Sequence, residues 1–272
     1  MNPALRVDEL DMDVSYIDKN AIAEAFGKAA LGYDQHAAFQ RDVGTRLINQ
    51  LPSDLSSYRI LDVGCGTGYF SQQLRDRGAE VVAFDLSRAM LQQAKNRCGE
   101  ERVHYQQGDA EQLPFADNQF DYVFSSLALQ WCQDLAVPLR EMRRVTKPGG
   151  QLLFSTLLDG SLRELKQAWA KIDTYQHVND FISLNQVNIA LAQSHCHTHH
   201  LDLPAIVVWY GSALGLMRDL KGIGANHVVG RSQGLTSRHS LRQLEREYQI
   251  FRQEHQGLLP ATYQVCLGII NL

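Results

Sequence analysis

The segment with the clearest chemistry is a glycine-rich turn with an acidic residue before it. Gly64, Gly66 and Gly68 alternate with other residues, among them Cys65, directly after a short strand-like run. Glycines at this spacing let the backbone turn sharply and bring its N–H groups close to a ligand. Turns of the related G-x-G-x-x-G type face a pyrophosphate, which a carboxylate would repel. Asp62 therefore favours a ligand with positive charge, although a purely structural turn is the alternative.

S-adenosylmethionine meets this requirement, because it carries an ammonium and a sulfonium beside its nucleoside. Asp85, followed by Leu86, ends the second strand-like run and is expected to accept hydrogen bonds from both ribose hydroxyls. Asp109 and Ala110 follow the third run and are expected to contact the adenine through the carboxylate and a backbone N–H. Each acid has a structural alternative, since Asp85 can cap the next helix and Asp109 can belong to a strand-end turn.

The carboxyl end of the fourth strand-like run is the expected meeting point of methyl donor and acceptor. Leu127 is predicted to contact the donor, and Gln130 and Trp131 to contact the acceptor. Tyr33 and His36, in an N-terminal helical segment, are predicted to close over the methionine end of the donor and to contact the acceptor. Packing in the core is the alternative for Trp131, and packing between helices is the alternative for Tyr33 and His36.

These residues need a scaffold in which strands and helices alternate. Such alternation predicts a mostly parallel sheet with helices on both faces, with the ligand beyond the carboxyl ends of the strands. The chain is predicted to form a single domain at 21–272, after a loose segment at 1–20. The alternation of strands and helices changes after position 156, which predicts a helical lid inserted at about 160–230. Strands are predicted at 60–63, 81–84, 103–106, 120–125, 151–155, 206–210 and 263–270, and helices at 69–77, 89–97, 136–145, 161–169, 184–192, 212–220 and 241–254.

Composition narrows the classes of function. The 272-residue chain has a formal net charge of −4, which gives no footprint for nucleic acid. It contains no run of about 18 apolar residues, so no membrane span is expected. Five dispersed cysteines without a C-x-x-C pair indicate reduced thiols and a cytoplasmic protein. A cluster of histidines at 195–200 lacks ligand spacing, so an exposed lid strand is expected there and no metal.

Beyond these patterns, the chain resembles the malonyl-acyl-carrier-protein O-methyltransferases of biotin synthesis, within the class I S-adenosylmethionine-dependent methyltransferases. The resemblance extends over nearly the whole chain after position 20 and implies an α/β, Rossmann-like fold with a seven-stranded, mostly parallel sheet. The implied substrate is malonyl-acyl-carrier protein or malonyl-CoA. The resemblance rests on the segments 21–30, 33–36, 127–132, 154–157, 160–162, 177–179, 216–225 and 259–263, in addition to the motifs above.

The implied reaction methylates the free malonyl carboxylate, which is already ionised at neutral pH, so no general base is expected. Arg218 and Lys221 lie three apart in a helical pattern and are predicted to hold that carboxylate, with a solvated basic face as the alternative. Docking of an acidic carrier protein would need a basic patch. The available cations are Arg143, Arg144, Lys147, Arg218, Lys221 and Arg231.

Two other functions remain open from the sequence. The same donor motifs fit a methyltransferase that acts on another small acceptor, such as a quinone precursor. A dinucleotide oxidoreductase, or a binding protein without catalysis, is the alternative from a different class, and Asp62 argues against the dinucleotide.

Overall fold

A computed structural model describes residues 17–225, 237–252 and 257–272. Most of the predicted loose segment, the end of the predicted lid, and Arg231 lie outside these residues. The strands are β1 (Arg59–Val63), β2 (Glu80–Asp85), β3 (Val103–Gln107), β4 (Phe120–Ser126), β5 (Thr146–Leu158), β6 (His199–Asp202), β7 (Ala205–Tyr210) and β8 (Leu259–Asn271).

The helices in the described residues occur before, between and after these strands. They are α1 (Lys19–Ala29), α2 (Tyr33–His36), α3 (Ala38–Ile48), α4 (Tyr69–Asp76), α5 (Arg88–Cys98), α6 (Ala136–Val145), α7 (Arg163–Ala170), α8 (Leu184–Gln193), α9 (Ala213–Gly222) and α10 (Arg238–Tyr248).

The strands form one sheet in the order β3-β2-β1-β4-β5-β8, with β6 and β7 both on the far side of β8. The first five strands are parallel, and β8 is antiparallel to its three neighbours. The predicted α/β sheet with helices on both faces is therefore confirmed. It has seven positions across, as expected, but eight strands, because β6 and β7 pair with different parts of β8.

The histidine-rich segment is part of this edge. His199 and His200 pair with Ile270 and Ile269 of β8, so the strand expected in a lid belongs to the sheet instead. The segment predicted as a helical lid thus contributes two strands as well as α7, α8 and α9. Within the described ranges, no group of acidic, histidine and cysteine side chains is arranged to hold a metal ion.

Alternation along the strands divides the core into two apolar layers. On β1, Ile60 faces one layer, whereas Leu61 and Val63 face the other. The first layer packs against α3, α4 and α5, and the second against α6 and α8. Two packed faces place the carboxyl ends of β1, β2, β3 and β4 along one rim, where loops are free to form a site.

All five cysteines are free thiols in this structure. None of the helices in the described part of the chain has the length and apolarity that a membrane crossing requires.

Candidate active site

A cavity of about 110 Å³ lies at the carboxyl ends of β1 to β4 and is called the donor cavity below. Its wall combines glycine backbone, acidic side chains and apolar surface. It is lined by Lys19, Ile22, Phe26, Tyr33, Val63, Gly64, Gly66, Phe84, Asp85, Leu86, Met90, Gly108, Asp109, Ala110, Ser126, Leu127, Ala128, Trp131 and Cys132. Most residues predicted to contact the methyl donor are in this set.

The glycine loop is held against the end of β2. The backbone N–H groups of Gly64 and Cys65 donate to the Phe84 carbonyl oxygen at 2.7 and 3.0 Å. The backbone at Gly64 has φ +72°, and a Cβ there would lie 2.3 Å from the Cβ of Ala128. A side chain at this position would therefore clash with the segment after β4.

Asp85 lies directly opposite the loop. Its Oδ2 accepts the Gly66 N–H at 2.9 Å, and its Oδ1 accepts the Ser87 N–H at 2.8 Å. Burial raises the pKa of this carboxyl to about 6, because the two backbone hydrogen bonds offset only part of the desolvation. The carboxylate lines the donor cavity, with the apolar side chains of Leu86 and Met90 beside it.

Asp62 occupies a different place from its neighbours in the motif. It shares a face of β1 with Ile60, is 2% exposed, and accepts the Ser71 hydroxyl of α4 at 2.5 Å. Burial raises its pKa to about 7. Asp62 is not among the residues that line the donor cavity, and neither are Cys65 and Gly68. In this structure Asp62 holds α4 against the strand from which the loop starts.

Asp109 and Ala110 line the far end of the donor cavity. The Asp109 Oδ1 is 3.2 Å from the Nζ of Lys19, which also lies 2.5 Å from Glu111. Sequence reasoning missed Lys19, because it lies in the segment predicted to be loose. A lysine three residues before the first apolar residue of a helix, Ile22, was the available signal.

Two N-terminal helices, α1 and α2, cover the donor cavity and are called the N-terminal arm below. Phe26 of the arm makes an edge-to-face contact with Trp131, with ring centroids 5.3 Å apart. Tyr33 lines the cavity from α2. Burial, with the nearby carboxylates of Asp85 and Asp34, raises the pKa of Tyr33 well above its usual value, so its hydroxyl stays protonated. The arm therefore presents a neutral hydrogen-bond donor to the cavity.

An ion pair fixes the arm to the glycine loop. Asp34 of α2 accepts from the guanidinium of Arg97 and, at 2.8 Å, from the hydroxyl of Thr67. Arg97 also donates to the Thr67 Oγ1 at 3.2 Å and lies 5.6 Å from the ring centroid of Tyr69. These contacts connect α2, the loop and α5 in one network, a second feature that the sequence motifs did not identify.

We expect Arg97→Met to weaken binding of S-adenosylmethionine about threefold to tenfold. The substitution removes a partly buried, charge-assisted hydrogen bond, which contributes roughly 1–2 kcal/mol, and frees the arm to move off the cavity. Calorimetric titration measures the change. The control is Lys95→Met, on the same helix as Arg97. It breaks an exposed ion pair with Glu100 and should leave the affinity unchanged. Equal affinities for both variants would contradict this role of Arg97.

A second cavity of about 450 Å³ adjoins the first and is called the acceptor chamber below. The two cavities share Ile22, Phe26, Tyr33, Leu127, Trp131 and Cys132. The rest of the chamber is lined by Ile17, Phe39, Gln40, Gln130, Gln133, Leu157, Leu162, Gln176, His177, Val178, Asn179, Asp180, Phe181, Ile182, Leu220, Ile223, Ala225 and Tyr263. The shared residues mark where a group can pass from one cavity to the other.

Leu127 and Trp131 both lie at this junction, and Gln130 lies in the chamber. Leu127 has φ +50°, and its N–H donates to the Ser155 hydroxyl of β5 at 2.9 Å. This hydrogen bond stabilises a backbone conformation that is uncommon for leucine and turns the following segment over the cavity.

Three of the residues predicted to bind the substrate lie outside both cavities. Arg218 and Lys221 line an open groove between α1 and α9, outside both cavities. His36 also borders this groove, where its Nδ1 lies 2.7 Å from the Asp219 Oδ1 and its ring packs against Gly222. The structure therefore does not bring these three residues to the predicted reaction centre.

Comparison with known proteins agrees with this geometry. Residues 61–154 match a family profile described as a methyltransferase domain. A malonyl-[acyl-carrier protein] O-methyltransferase from Serratia marcescens is 45% identical over 93% of this chain and 96% of its own length. The biotin biosynthesis bifunctional protein BioHC of Cellvibrio japonicus is 40% identical over 92% of this chain and 49% of its own.

A solved structure supports the fold. The YcgJ protein from Bacillus subtilis has a TM-score of 0.62 and 17% identity, with 85% of this chain and 98% of that chain covered. One conclusion follows from the strand order, the glycine loop beside Asp85 and the relatives of nearly equal length. The chain is an S-adenosylmethionine-dependent methyltransferase with a class I fold, and it belongs to the malonyl-[acyl-carrier protein] O-methyltransferase family.

Proposed function

We propose that this chain transfers a methyl group from S-adenosylmethionine to the free carboxylate of a malonyl thioester. A new bond forms between a carboxylate oxygen and the methyl carbon, and the bond between that carbon and sulfur breaks. The products are the malonyl methyl ester and S-adenosylhomocysteine. The observation that carries the proposal is the junction between donor cavity and acceptor chamber, in a chain whose relatives have malonyl-acyl-carrier protein in their names.

The donor cavity fits S-adenosylmethionine in shape and chemistry, and its role is a proposal. Gly66 leaves open space beside Asp85, whose carboxylate suits the two ribose hydroxyls. Asp109 and Ala110 suit the adenine, and Leu127 suits the junction with the chamber. Asp62, Cys65 and Gly68 support this loop from outside the cavity. When bound, S-adenosylmethionine supplies an electrophilic methyl group on a positively charged sulfur.

The malonyl carboxylate needs no base. The role of the protein is therefore to position the two substrates and to exclude water from between them. Phe26 and Trp131 close the junction with apolar surface, which limits access of water. The protonated Tyr33 hydroxyl is available there as a neutral hydrogen-bond donor. A neutral donor orients a carboxylate and leaves its charge largely available for attack.

The quinone-precursor alternative has less support. It shares the donor cavity, but the sequence similarity extends over 93% of this chain, including the helices and strands around the acceptor chamber. The names of these relatives favour the malonyl thioester, and the free thiols support a cytoplasmic site for the reaction.

We further propose that Arg218 and Lys221 contact an acidic acyl carrier protein. Besides these two cations, their groove contains Lys28, whose Nζ lies 2.7 Å from the Oε1 of Glu24. On the other side of the same helix segment, Leu220 and Ile223 line the acceptor chamber. Of the other cations considered for docking, Arg144 and Lys147 are paired with acidic residues.

We expect the double substitution Arg218→Glu and Lys221→Glu to raise the KM for malonyl-acyl-carrier protein about tenfold, since it places negative charge opposite the acidic partner. The KM for malonyl-pantetheine, which lacks the protein, should stay within about twofold. Steady-state kinetics measure both. The exposed Arg140→Glu change on α6, across the sheet, serves as the control. A KM that rises equally for both substrates would instead support the original prediction that these cations hold the malonyl group.

Mass spectrometry of the reaction tests the function as a whole. Purified protein with S-adenosylmethionine should convert malonyl-acyl-carrier protein to a product heavier by one methylene group. Malonyl-CoA in a parallel reaction establishes whether the carrier protein is required. No gain with either malonyl thioester, together with methylation of a quinone precursor, would overturn the proposal.

A further inference from the structure

The acceptor chamber is larger than a malonyl group requires. Its volume of about 450 Å³ lies within the range of about 300–1,000 Å³ that is typical of sites for whole small molecules. Apolar side chains from several elements form much of its wall, among them Phe39, Leu157, Phe181 and Ile223. A chamber of this size and polarity fits a longer, partly apolar chain attached to the reacting group.

Two glutamines place polar atoms in this wall. The Gln130 Nε2 donates to the Leu127 carbonyl oxygen at 2.8 Å, which fixes the orientation of the amide. Its Oε1 is buried and has no hydrogen-bond partner among the described residues. The Oε1 of Gln40 on α3 is likewise buried without a partner in the described part of the chain. Two residues of the chamber wall therefore have buried amide oxygens without a donor among the described residues.

A malonyl thioester cannot satisfy these oxygens through its malonyl portion. The ionised carboxylate and the thioester carbonyl only accept hydrogen bonds, so displacing solvent with them alone would leave the glutamine oxygens unpaired. An unpaired buried acceptor costs about 1–3 kcal/mol. The pantetheine arm, which both carrier protein and coenzyme A attach to their thioesters, has two amide N–H groups and an apolar dimethyl segment. These are the missing donors and the matching apolar surface.

We infer that the acceptor chamber binds the pantetheine arm of the substrate, with Gln130 and Gln40 accepting its amide N–H groups. This inference rests on the proposed function and adds how the site recognises the part of the substrate that does not react. Gln130 carries the argument most directly, because its own hydrogen bond to Leu127 uses the Nε2 and leaves the Oε1 as the group without a partner among the described residues. The two glutamines are positioning residues, since they do not contact the reacting atoms.

The test combines variants with malonyl thioesters that differ in their amide groups. Malonyl-pantetheine has two amides, the N-acetylcysteamine thioester has one, and the ethanethiol thioester has none. We expect Gln130→Leu to lower kcat/KM about fivefold to tenfold for malonyl-pantetheine and to leave the ethanethiol ester within about twofold. Gln40→Leu should behave in the same way. Gln92→Leu, on the exposed face of α5, is the control and should change neither substrate.

Binding provides a second readout that does not depend on turnover. Acetyl-pantetheine is titrated calorimetrically into the protein in the presence of S-adenosylhomocysteine. Gln130→Leu should bind acetyl-pantetheine about fivefold to tenfold more weakly than the unsubstituted protein does. Malonyl-acyl-carrier protein and malonyl-CoA should lose activity equally, because they share the arm. A loss with the carrier protein alone would overturn the inference, since it would place Gln130 at a protein interface.

An equal loss of kcat/KM with all three small thioesters would also overturn the inference and leave the proposed function intact. If no malonyl thioester is methylated at all, the proposed function fails. The calorimetric comparison then still decides whether Gln130 binds the arm, because it needs no reaction.

Discussion

Gly66→Asn should weaken binding of S-adenosylmethionine by about 100-fold or more, which corresponds to roughly 3 kcal/mol. Gly66 lines the donor cavity, has φ +54°, and has no atom within 4 Å of the position that a Cβ would take. An added side chain would therefore extend into the space intended for the donor. Asparagine tolerates this left-handed backbone better than most residues, so the protein should still fold. Calorimetric titration measures the loss of affinity.

Gly149→Asn is the matched control for this change. Gly149 has φ +81°, is equally open around its Cα, and lies at an exposed position outside both cavities. The two variants should have similar melting temperatures, because the backbone strain is of the same kind, and only the first should lose the donor. Near-normal affinity in Gly66→Asn would contradict the position of the donor against the glycine loop.

Local patterns in the sequence predicted most of the fold, because every parallel strand except β3 contains an apolar run and is followed by a helix before the next strand. They did not identify β6 as part of the sheet. Its four residues are polar or only partly buried, and three of them are exposed. The strand exists because His199 and His200 pair with the long strand β8, which lies about 70 residues later in the chain. No local pattern reports such a long-range pairing.

Some of the site residues could likewise be placed from the sequence, and others could not. Asp85, Asp109 and Leu127 follow strands, so sequence order alone brings them to one rim of the sheet. Arg218 and Lys221 depend on which face of α9 packs inward. Leu220 and Ile223 face the chamber, and the two cations therefore lie toward the outer groove. Tertiary packing determines which face of α9 points inward, and helical spacing alone does not.

Asp62 illustrates a limit of motif chemistry. Its position before the glycines suggested direct contact with a positive ligand, whereas the strand pleat turns it toward Ser71. Its effect on the donor is therefore expected to pass through the position of the loop. Cofactor binding by Asp62→Ala would test the direct contact, which stays a prediction.

Affinity for S-adenosylmethionine should fall about tenfold between pH 7 and pH 5. The pKa of Asp85 is about 6, so the fraction of ionised carboxylate decreases from about nine-tenths to about one-tenth over this range. The ionised form accepts hydrogen bonds from both ribose hydroxyls, whereas the protonated form loses part of this capacity. Calorimetric titrations at half-unit intervals of pH measure the profile.

Titration of Asp85 and Asp62 does not explain such a profile through loss of folding, because the linkage of these two groups has the opposite sign. Asp85 and Asp62 both have folded-state pKa values above the usual value near 4, with Asp62 at about 7. Their contribution to stability is fully present below pH 4 and is lost as the pH rises through about 6 and 7. For these groups, acid should therefore increase the free energy of unfolding while it weakens the binding of the donor.

Two variants assign the titrating group. Asp85→Asn should bind S-adenosylmethionine about 30- to 100-fold more weakly at pH 7, since the amide cannot accept from both hydroxyls as a carboxylate does. Its affinity should also change little between pH 5 and pH 7. Asp62→Asn should keep the wild-type profile, because its side chain faces Ser71 and not the cavity. If Asp85→Asn retains the tenfold dependence and Asp62→Asn loses it, Asp62 acts on the ligand and the assignment of the ribose site to Asp85 is wrong.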